Sequence, residues 1–216
     1  MKKRILACCL LAAALSLSGC APRAYQVQVN GYTDPTTPGV IAPGDTFFVM
    51  ENKEAKNPLL EKEIREKIVK LLESQGYSSA TLDQARHFLF FGYDIGPGRS
   101  VTVVFPDFYP YSWGYYPGYP RSYFFASPFA GYWPYTETLY DRWLLIKVVD
   151  AKVYRDKGQF KSVWVGEARS TGTSQDLRVV VNYLLKAVFE QFGKNTGKAV
   201  TVEVSEQDPV IRDLSK

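Results

Sequence analysis

The chain has 216 residues with 26 basic and 22 acidic side chains. Three of the basic residues lie in the first 19, so the other 197 residues carry 23 basic and 22 acidic side chains and are nearly neutral. A near-neutral chain argues against nucleic acid as a partner, because phosphate binding needs a concentrated basic patch. A length of 197 residues suits one domain with a long loop.

Residues 1–19 have the parts of an export signal. Residues 2–4 are basic, and residues 5–17 form an apolar run that is too short to cross a bilayer, which needs about 20 apolar residues. The segment Leu17-Ser18-Gly19-Cys20 resembles a lipobox, in which the cysteine thiol accepts a diacylglyceryl group. We expect cleavage before Cys20 and stable anchoring by its acyl chains. The alternative is a plain secretory signal with a chance cysteine.

The remaining cysteines set limits on the chemistry of the mature chain. Cys8 and Cys9 leave with the signal and Cys20 carries lipid, so no thiol is left for a disulfide or a thiolate site. Ala21 follows the lipidated cysteine, which by resemblance to enteric lipoproteins favours the outer membrane, facing the periplasm. We therefore expect a lipid-anchored protein of the cell envelope whose fold depends on its core alone.

The first part of the mature chain is predicted to be a tether that leads into a helix. Residues 20–43 form the lipidated N-terminus and a tether or edge element, and residues 44–204 form a single domain that opens with a short buried strand at 46–50. A helix follows between Asn57, a suitable cap, and Gly76. Its polar face is predicted to be Glu61, Lys62, Arg65, Glu66, Lys67 and Lys70.

The second part of the domain alternates strands with one more helix. Strands are predicted at 87–95, 99–105, 142–154 and 162–170, with a helix from about 174 to 192 that starts in a capping box of Thr173 and Asp176. A last edge strand at 199–204 precedes a polar tail, 205–216. This order predicts an α+β fold, an antiparallel sheet with two helices packed on one face.

Several short motifs in this domain resemble one family. They are Val148-Val149-Asp150-Ala151-Lys152, Trp164-Val165-Gly166-Glu167-Ala168 and a following helix that ends near Phe192. They resemble the DUF4136 lipoproteins, envelope proteins of unknown function, over about residues 45–195. Members often stop at a Phe-Pro-Pro, whereas this chain continues past Phe192. The resemblance implies a location and a fold, and it supplies no catalytic signature.

Residues 105–135 are an insert rich in aromatic residues and proline, and six prolines there argue against a helix or a central strand. Three hypotheses stay open. The rings could cover the sheet as a flap, form a docking surface for another envelope protein or for peptidoglycan, or enter the membrane interface. The predicted contact residues are Trp113, Tyr115, Tyr116, Tyr119, Trp133 and Tyr135.

Residues suited to catalysis or to metal binding are few. His87 is the single histidine, which leaves neither a metal cluster nor a histidine-based catalytic set, and no cofactor motif is present. A glycosidase pair could be drawn from the carboxylates that flank the insert, but solvated loop charges explain them better: Asp94, Asp107, Glu137 and Asp141. We expect a non-enzymatic interaction or structural module, with a protein that binds or hydrolyses peptidoglycan or another glycan as the alternative.

Overall fold

A computed structural model describes residues 24–36, 41–106 and 132–216. Eight strands and four helices follow one another along the chain. The strands are β1 (Ala24–Thr33), β2 (Thr46–Val49), β3 (Ser78–Ser79), β4 (His87–Ile95), β5 (Arg99–Pro106), β6 (Tyr132–Asp150), β7 (Ser162–Gly172) and β8 (Val200–Ser205). The helices are α1 (Pro58–Ser74), α2 (Ala151–Lys157), α3 (Leu177–Glu190) and α4 (Pro209–Leu214).

The strands form one sheet in the order β3-β2-β4-β6-β7-β1-β8, and β5 pairs with the first half of β6. Most neighbouring strands are antiparallel, whereas β2 is parallel to both β3 and β4. This arrangement confirms the predicted α+β fold. The last eleven residues of β6 lie between β4 and β7, so β6 is central to the sheet.

The main core lies between one face of the sheet and the helices α1, α3 and α4. Alternate residues of β6, Leu144, Ile146 and Val148, point into it and are almost completely buried. Gly166 lies on the same face, and a Cβ atom there would come within 2.8 Å of Val188 on α3 and would also meet the ring of Trp164. The Trp-x-Gly-x-Ala motif is therefore a packing motif, in which the glycine leaves room for the indole and for α3.

The helix boundaries follow local capping chemistry. Asn57 Oδ1 accepts a hydrogen bond from the amide of Leu60 at 3.1 Å, and Gly76 leaves α1 with a φ of +86°. Asp176 alone caps α3, by accepting from the amides of Arg178 and Val179, so the capping box predicted with Thr173 does not form. The reason is that one carboxylate already satisfies both amides at the start of the helix.

The strand predicted at 142–154 is divided differently. β6 begins ten residues earlier and ends at Asp150, whose Oδ1 accepts from the amide of Val153 at 3.1 Å and starts α2. Gly158, with a φ of +63°, ends this short helix. The apolar residues after Asp150 were predicted as strand because seven residues are too few to reveal a helical period.

Two predicted flanking segments contain regular elements that pack on the domain. The tether or edge element predicted at 20–43 contains β1, which is hydrogen-bonded to β7 on one side and β8 on the other, so the sheet includes residues from Ala24 onward. The polar tail predicted at 205–216 contains α4, which buries Ile211 and Leu214 in the core. In both cases a short stretch with few apolar residues is held by tertiary contacts that composition does not reveal.

The polar face predicted for α1 is also partly buried. Lys67 is 9% exposed, and its Nζ donates to Glu63 Oε1 and to Asn182 Oδ1, both at 2.8 Å. Glu61 is 4% exposed and hydrogen-bonds to Tyr93, whose pKa is raised to about 12 by burial and by this carboxylate. Both side chains are enclosed because neighbouring elements contact this side of α1. Asn182 of α3 contacts Lys67, and Tyr93 of β4 contacts Glu61.

Both ends of the insert predicted at 105–135 belong to strands. β5 continues to Pro106 and β6 starts at Tyr132. Pro106 and Pro134 are tolerated because they lie in a two-stranded ribbon with free edges, where a missing amide costs little. Within the described residues, none of the helices has the length and apolar character needed to cross a membrane.

Candidate functional site

Within the described ranges, two features lie outside the helix-covered core: a ribbon and the sheet face that looks away from the long helices. The ribbon consists of β5 and residues 132–139 of β6, paired from Arg99↔Leu139 to Pro106↔Tyr132. The ribbon projects beyond the rest of the sheet. The outermost residue pairs that β6 makes with its other neighbours are Ile95↔Arg142 on β4 and Tyr140↔Gly172 on β7. Eight residues of strand extend the ribbon by roughly 26 Å.

The ribbon has solvent on its sides as far as its side chains are described. Tyr135 is 58% exposed, and Thr102 and Thr136 share a hydrogen bond of 2.9 Å between their exposed hydroxyls. A two-stranded ribbon alone is only marginally stable in water, because it buries little apolar surface. Its free sides are therefore suited to contact with another surface.

The second feature is the sheet face that looks away from α1 and α3, which we call the open face. Its outward side chains include Phe90, Trp143, Leu145, Lys147 and Val165, by alternation from the buried residues of the same strands. Among the described residues, α2, Tyr154 and Phe160 cover part of this side of the sheet, with Tyr154 packed on Phe88 and Phe160 packed on Phe90. Trp143 is exposed, and exposed apolar side chains on a sheet face are typical of contact surfaces.

The indole of Trp143 lies over Gly92 of the neighbouring strand, where a Cβ atom would be 3.7 Å from the ring. Beside it a groove of about 630 Å³ runs across β6, β7 and β1. Its outward polar side chains are Gln28, Asp141, Glu167, Arg169 and Thr171. The groove therefore combines an aromatic platform with acidic, basic and neutral hydrogen-bonding side chains, a composition common in ligand sites.

The charged groups of this groove are already engaged with one another. Asp141 accepts a hydrogen bond from Thr171 Oγ1 at 2.6 Å and lies 3.7 Å from Arg99 Nε at the base of the ribbon. Arg169 lies 3.8 Å from Glu167. These exposed pairs contribute little to stability, so they can exchange partners at low cost.

The sequence-predicted site residues fall into two groups. Cys20 and four of the six predicted contact residues, Trp113, Tyr115, Tyr116 and Tyr119, lie outside the described residues. Trp133 and Tyr135 lie in the ribbon, paired with Phe105 and Val103 respectively. The ribbon thus brings two of the six onto one strand of a regular element.

Trp143 and Leu145 were not predicted as site residues. A signal was present, because β6 is apolar at successive positions and not only at alternate ones. A strand with apolar residues on both faces is buried on both faces or exposes one as a contact surface. Only the packing distinguishes these cases.

The carboxylates considered for catalysis have separate tasks. Asp94 accepts from the amide of Ile95, and Asp141 is engaged as described above. Glu137 lies in the ribbon opposite Val101, and Asp107 lies outside the described residues. Across the described ranges, no group of three or more His, Cys, Asp or Glu side chains is arranged to hold a metal ion.

His87 is 1% exposed, and its Nε2 lies 3.0 Å from Asp45 Oδ2. Asp45 also accepts from Arg86 Nη1 at 2.7 Å and from the amide of Ala42 at 2.8 Å. The imidazole packs beside Phe47 with ring centroids 5.1 Å apart. This arrangement joins the loop before β2 to the start of β4, and its closed environment suits a structural task.

A family model described as a domain of unknown function, DUF4136, matches residues 31–192. None of the curated proteins matches the chain. The match spans β1 to α3 and so takes in the open face and the ribbon.

The solved structures that match the chain have low sequence identity to it. A PDZ domain protein from Parabacteroides distasonis is 15% identical with a TM-score of 0.47; the match covers 91% of this chain and 42% of that one. The PelC dodecamer from Paraburkholderia phytofirmans is 13% identical with a TM-score of 0.42, covering 78% and 98%. A DUF4136 family protein from Bacteroides thetaiotaomicron is 17% identical with a TM-score of 0.36, covering 76% and 91%.

Proposed function

The chain belongs to the DUF4136 family, as its strand motifs predicted, and we propose that it is a lipid-anchored envelope protein that acts as a non-enzymatic interaction module. The anchor is the acylated Cys20, and the location is the outer membrane on its periplasmic side. The domain holds a partner against the ribbon and the open face, with the aromatic insert at the end of the ribbon as part of the contact. The partner class is another envelope protein.

The observation that carries this proposal is the exposure of apolar side chains on two adjoining elements. Trp143 is 39% exposed on the open face, and Tyr135 is 58% exposed on the ribbon that continues the same strand. Aromatic side chains give a large contact area with little conformational entropy to lose, so they are enriched at interfaces. One continuous strand, β6, places both on a rigid support.

The first test is photo-crosslinking in intact cells. A photoreactive phenylalanine derivative replaces Trp143 in one strain, Tyr135 in a second and Lys62 in a third. Lys62 is the matched control, since its side chain is 64% exposed on α1 at the other side of the sheet. We expect discrete adducts from positions 143 and 135 and none from 62, because only the first two lie on the proposed contact surface.

The same experiment separates the proposal from its alternatives. Adducts from all three positions would indicate non-specific encounters, and their absence from both 143 and 135 would contradict an interaction role for these surfaces. Adducts that contain glycan fragments instead of a protein would favour the alternative, a peptidoglycan- or glycan-binding module. That alternative is supported by the groove, where the Trp143 platform lies beside Gln28, Glu167 and Arg169.

A further inference from the structure

Arg142 is a buried arginine that forms no ion pair within the described part of the chain. It is 2% exposed, and its Nε has no hydrogen-bond partner there. The hydrogen bond that its Nη1 donates to the carbonyl oxygen of Ser174 is long, at 3.4 Å, and the guanidinium lies 6.0 Å from the ring centre of Tyr25. A buried charge is costly unless an opposite charge or several hydrogen bonds compensate it.

The residue paired with Arg142 across the strands has a similar deficit. Arg142 pairs with Ser170 of β7, so both side chains are on the core side of the sheet. Ser170 is 7% exposed and its Oγ has no partner. Among the described residues three buried side-chain atoms lack a partner, and two of them belong to this one pair. Unsatisfied buried groups that adjoin each other point to a missing binding partner.

A pocket of about 380 Å³ opens beside the guanidinium. No lining residue of this pocket carries a negative charge. Besides Arg142 and Ala24 the lining residues are Tyr25, Gln26, Thr171, Gly172, Thr173 and Ser174. A Cβ atom on Gly172 would be 2.6 Å from Arg142 Nη2, so the glycine provides the space that the guanidinium occupies. The pocket therefore offers a cation, amides and hydroxyls to an entering group.

The electrostatics favour an anion in this pocket. Burial lowers the pKa of Arg142, and Tyr25 and Asp141 raise it without reversing that effect. Asp141 accepts its hydrogen bond from Thr171 and lies beside Arg99. Arginine nevertheless stays protonated in proteins, so the positive charge persists in the core and attracts an anion.

The position of the pocket identifies the source of the anion. β1 runs parallel to β6 through their common neighbour β7, so Ala24 lies at the end of the sheet from which the ribbon projects. Cys20 lies four positions before Ala24, which is a reach of at most about 14 Å. The ribbon extends roughly 26 Å at that same end, further than the tether does. The pocket, the N-terminus and the ribbon thus share the end of the domain that an anchor on Cys20 would hold at the bilayer.

We propose that Arg142, with the hydroxyls of Thr173 and Ser174, binds the phosphate of a phospholipid head group from the leaflet that holds the acyl chains. A guanidinium donates two parallel hydrogen bonds to a phosphate, and the surrounding hydroxyls complete its coordination. The choice of a lipid over free phosphate rests on the proposed anchoring at Cys20. The bound head group would fix the orientation of the domain on the membrane.

The test uses the mature chain from residue 20 with Cys20→Ser, so that acyl chains contribute nothing to binding. Isothermal titration measures its affinity for short-chain phosphatidylglycerol below the micelle concentration, and for inorganic phosphate in parallel. We expect Arg142→Gln to weaken lipid binding at least about tenfold, the loss of one charge-assisted hydrogen bond. Arg212→Gln is the matched control, because it removes the same charge from an exposed position on α4 that does not line the pocket.

A second variant covers the case in which Arg142→Gln does not fold. Thr173→Val removes one hydroxyl of the pocket lining and is expected to weaken lipid binding about threefold to tenfold. Unchanged affinity in both variants, or an equal loss in Arg212→Gln, would overturn the proposal. Phosphate binding that equals lipid binding would overturn the lipid assignment in favour of a free phosphate.

These results are independent of the interaction role. Adducts from positions 143 and 135 do not involve Arg142, and the titration does not need an acylated protein. A failed titration therefore leaves the crosslinking result intact, and a failed crosslinking experiment leaves the phosphate pocket intact.

Discussion

At the scale of single residues, the pair Asp45–His87 shows how a buried titratable group couples the fold to pH. An ionised carboxylate only accepts hydrogen bonds, so the contact requires the proton on His87 Nε2 and leaves Nδ1 unprotonated in the core. Burial raises the pKa of Asp45, but the Ala42 amide, His87 and Arg86 outweigh that effect and hold the pKa below 3.8. Burial lowers the pKa of His87 below 6.5, although Asp45 acts to raise it.

The chain is therefore expected to lose stability as the pH falls through 6.5. Below that value the unfolded chain takes up a proton on His87 and the folded chain does not, so unfolding is favoured by up to about 1.4 kcal/mol per pH unit. Urea unfolding at intervals between pH 7.5 and 5 measures this slope. His87 is the single histidine of the chain, so His87→Gln should remove the slope between pH 6.5 and 5. An equal slope in both proteins would assign the effect to other groups.

At the scale of elements, α4 shows how six residues can complete a core. Asp208 accepts from the amide of Val210 at 2.8 Å, and Pro209 occupies the first turn, so the helix has a defined start. Ile211 and Leu214 fill the core beside α3. Asp213 lies 2.7 Å from Lys70 on α1, so the short helix joins both long helices.

Truncating Leu214 should destabilise the whole domain. Leu214 is 3% exposed, and Leu214→Ala is expected to lower the free energy of unfolding by about 2–4 kcal/mol through lost burial and the cavity left behind. Arg212→Ala, on the exposed side of the same helix, should change it by less than about 0.5 kcal/mol. Urea unfolding of both variants provides the comparison, and similar values would mean that α4 is only loosely attached.

At the scale of the whole molecule, the domain has two different ends and two different faces. One face carries the long helices, and the other is the open face with Trp143 and Leu145. The end that holds Ala24 also holds the ribbon and the Arg142 pocket. An anchor at Cys20 would therefore keep this end of the domain near the membrane and leave the open face accessible from the periplasm.

Replacing Cys20 should separate anchoring from folding. We expect Cys20→Ser to move the protein from the membrane fraction to the soluble periplasmic fraction, because the acyl chains supply most of the membrane affinity. Its thermal unfolding should match that of the acylated protein in detergent, since the described core does not include residue 20. Retention of the variant in the membrane fraction would contradict lipid anchoring at this residue.

Local chemistry explains which features could be predicted from the sequence and which could not. The cap Asn57, the apolar stripes of α1 and α3 and the strand motifs act over a few residues, so they were readable and were sufficient for the fold class and the family. The cap Asp150, the burial of Lys67, the role of α4 and the pairing of Arg142 with Ser170 depend on elements that are distant along the chain or too short to show a period. The sequence by itself determined the fold class, the two long helices and the family. Tertiary structure decided which polar residues became buried and which apolar face stayed open, because burial depends on the neighbours that packing supplies.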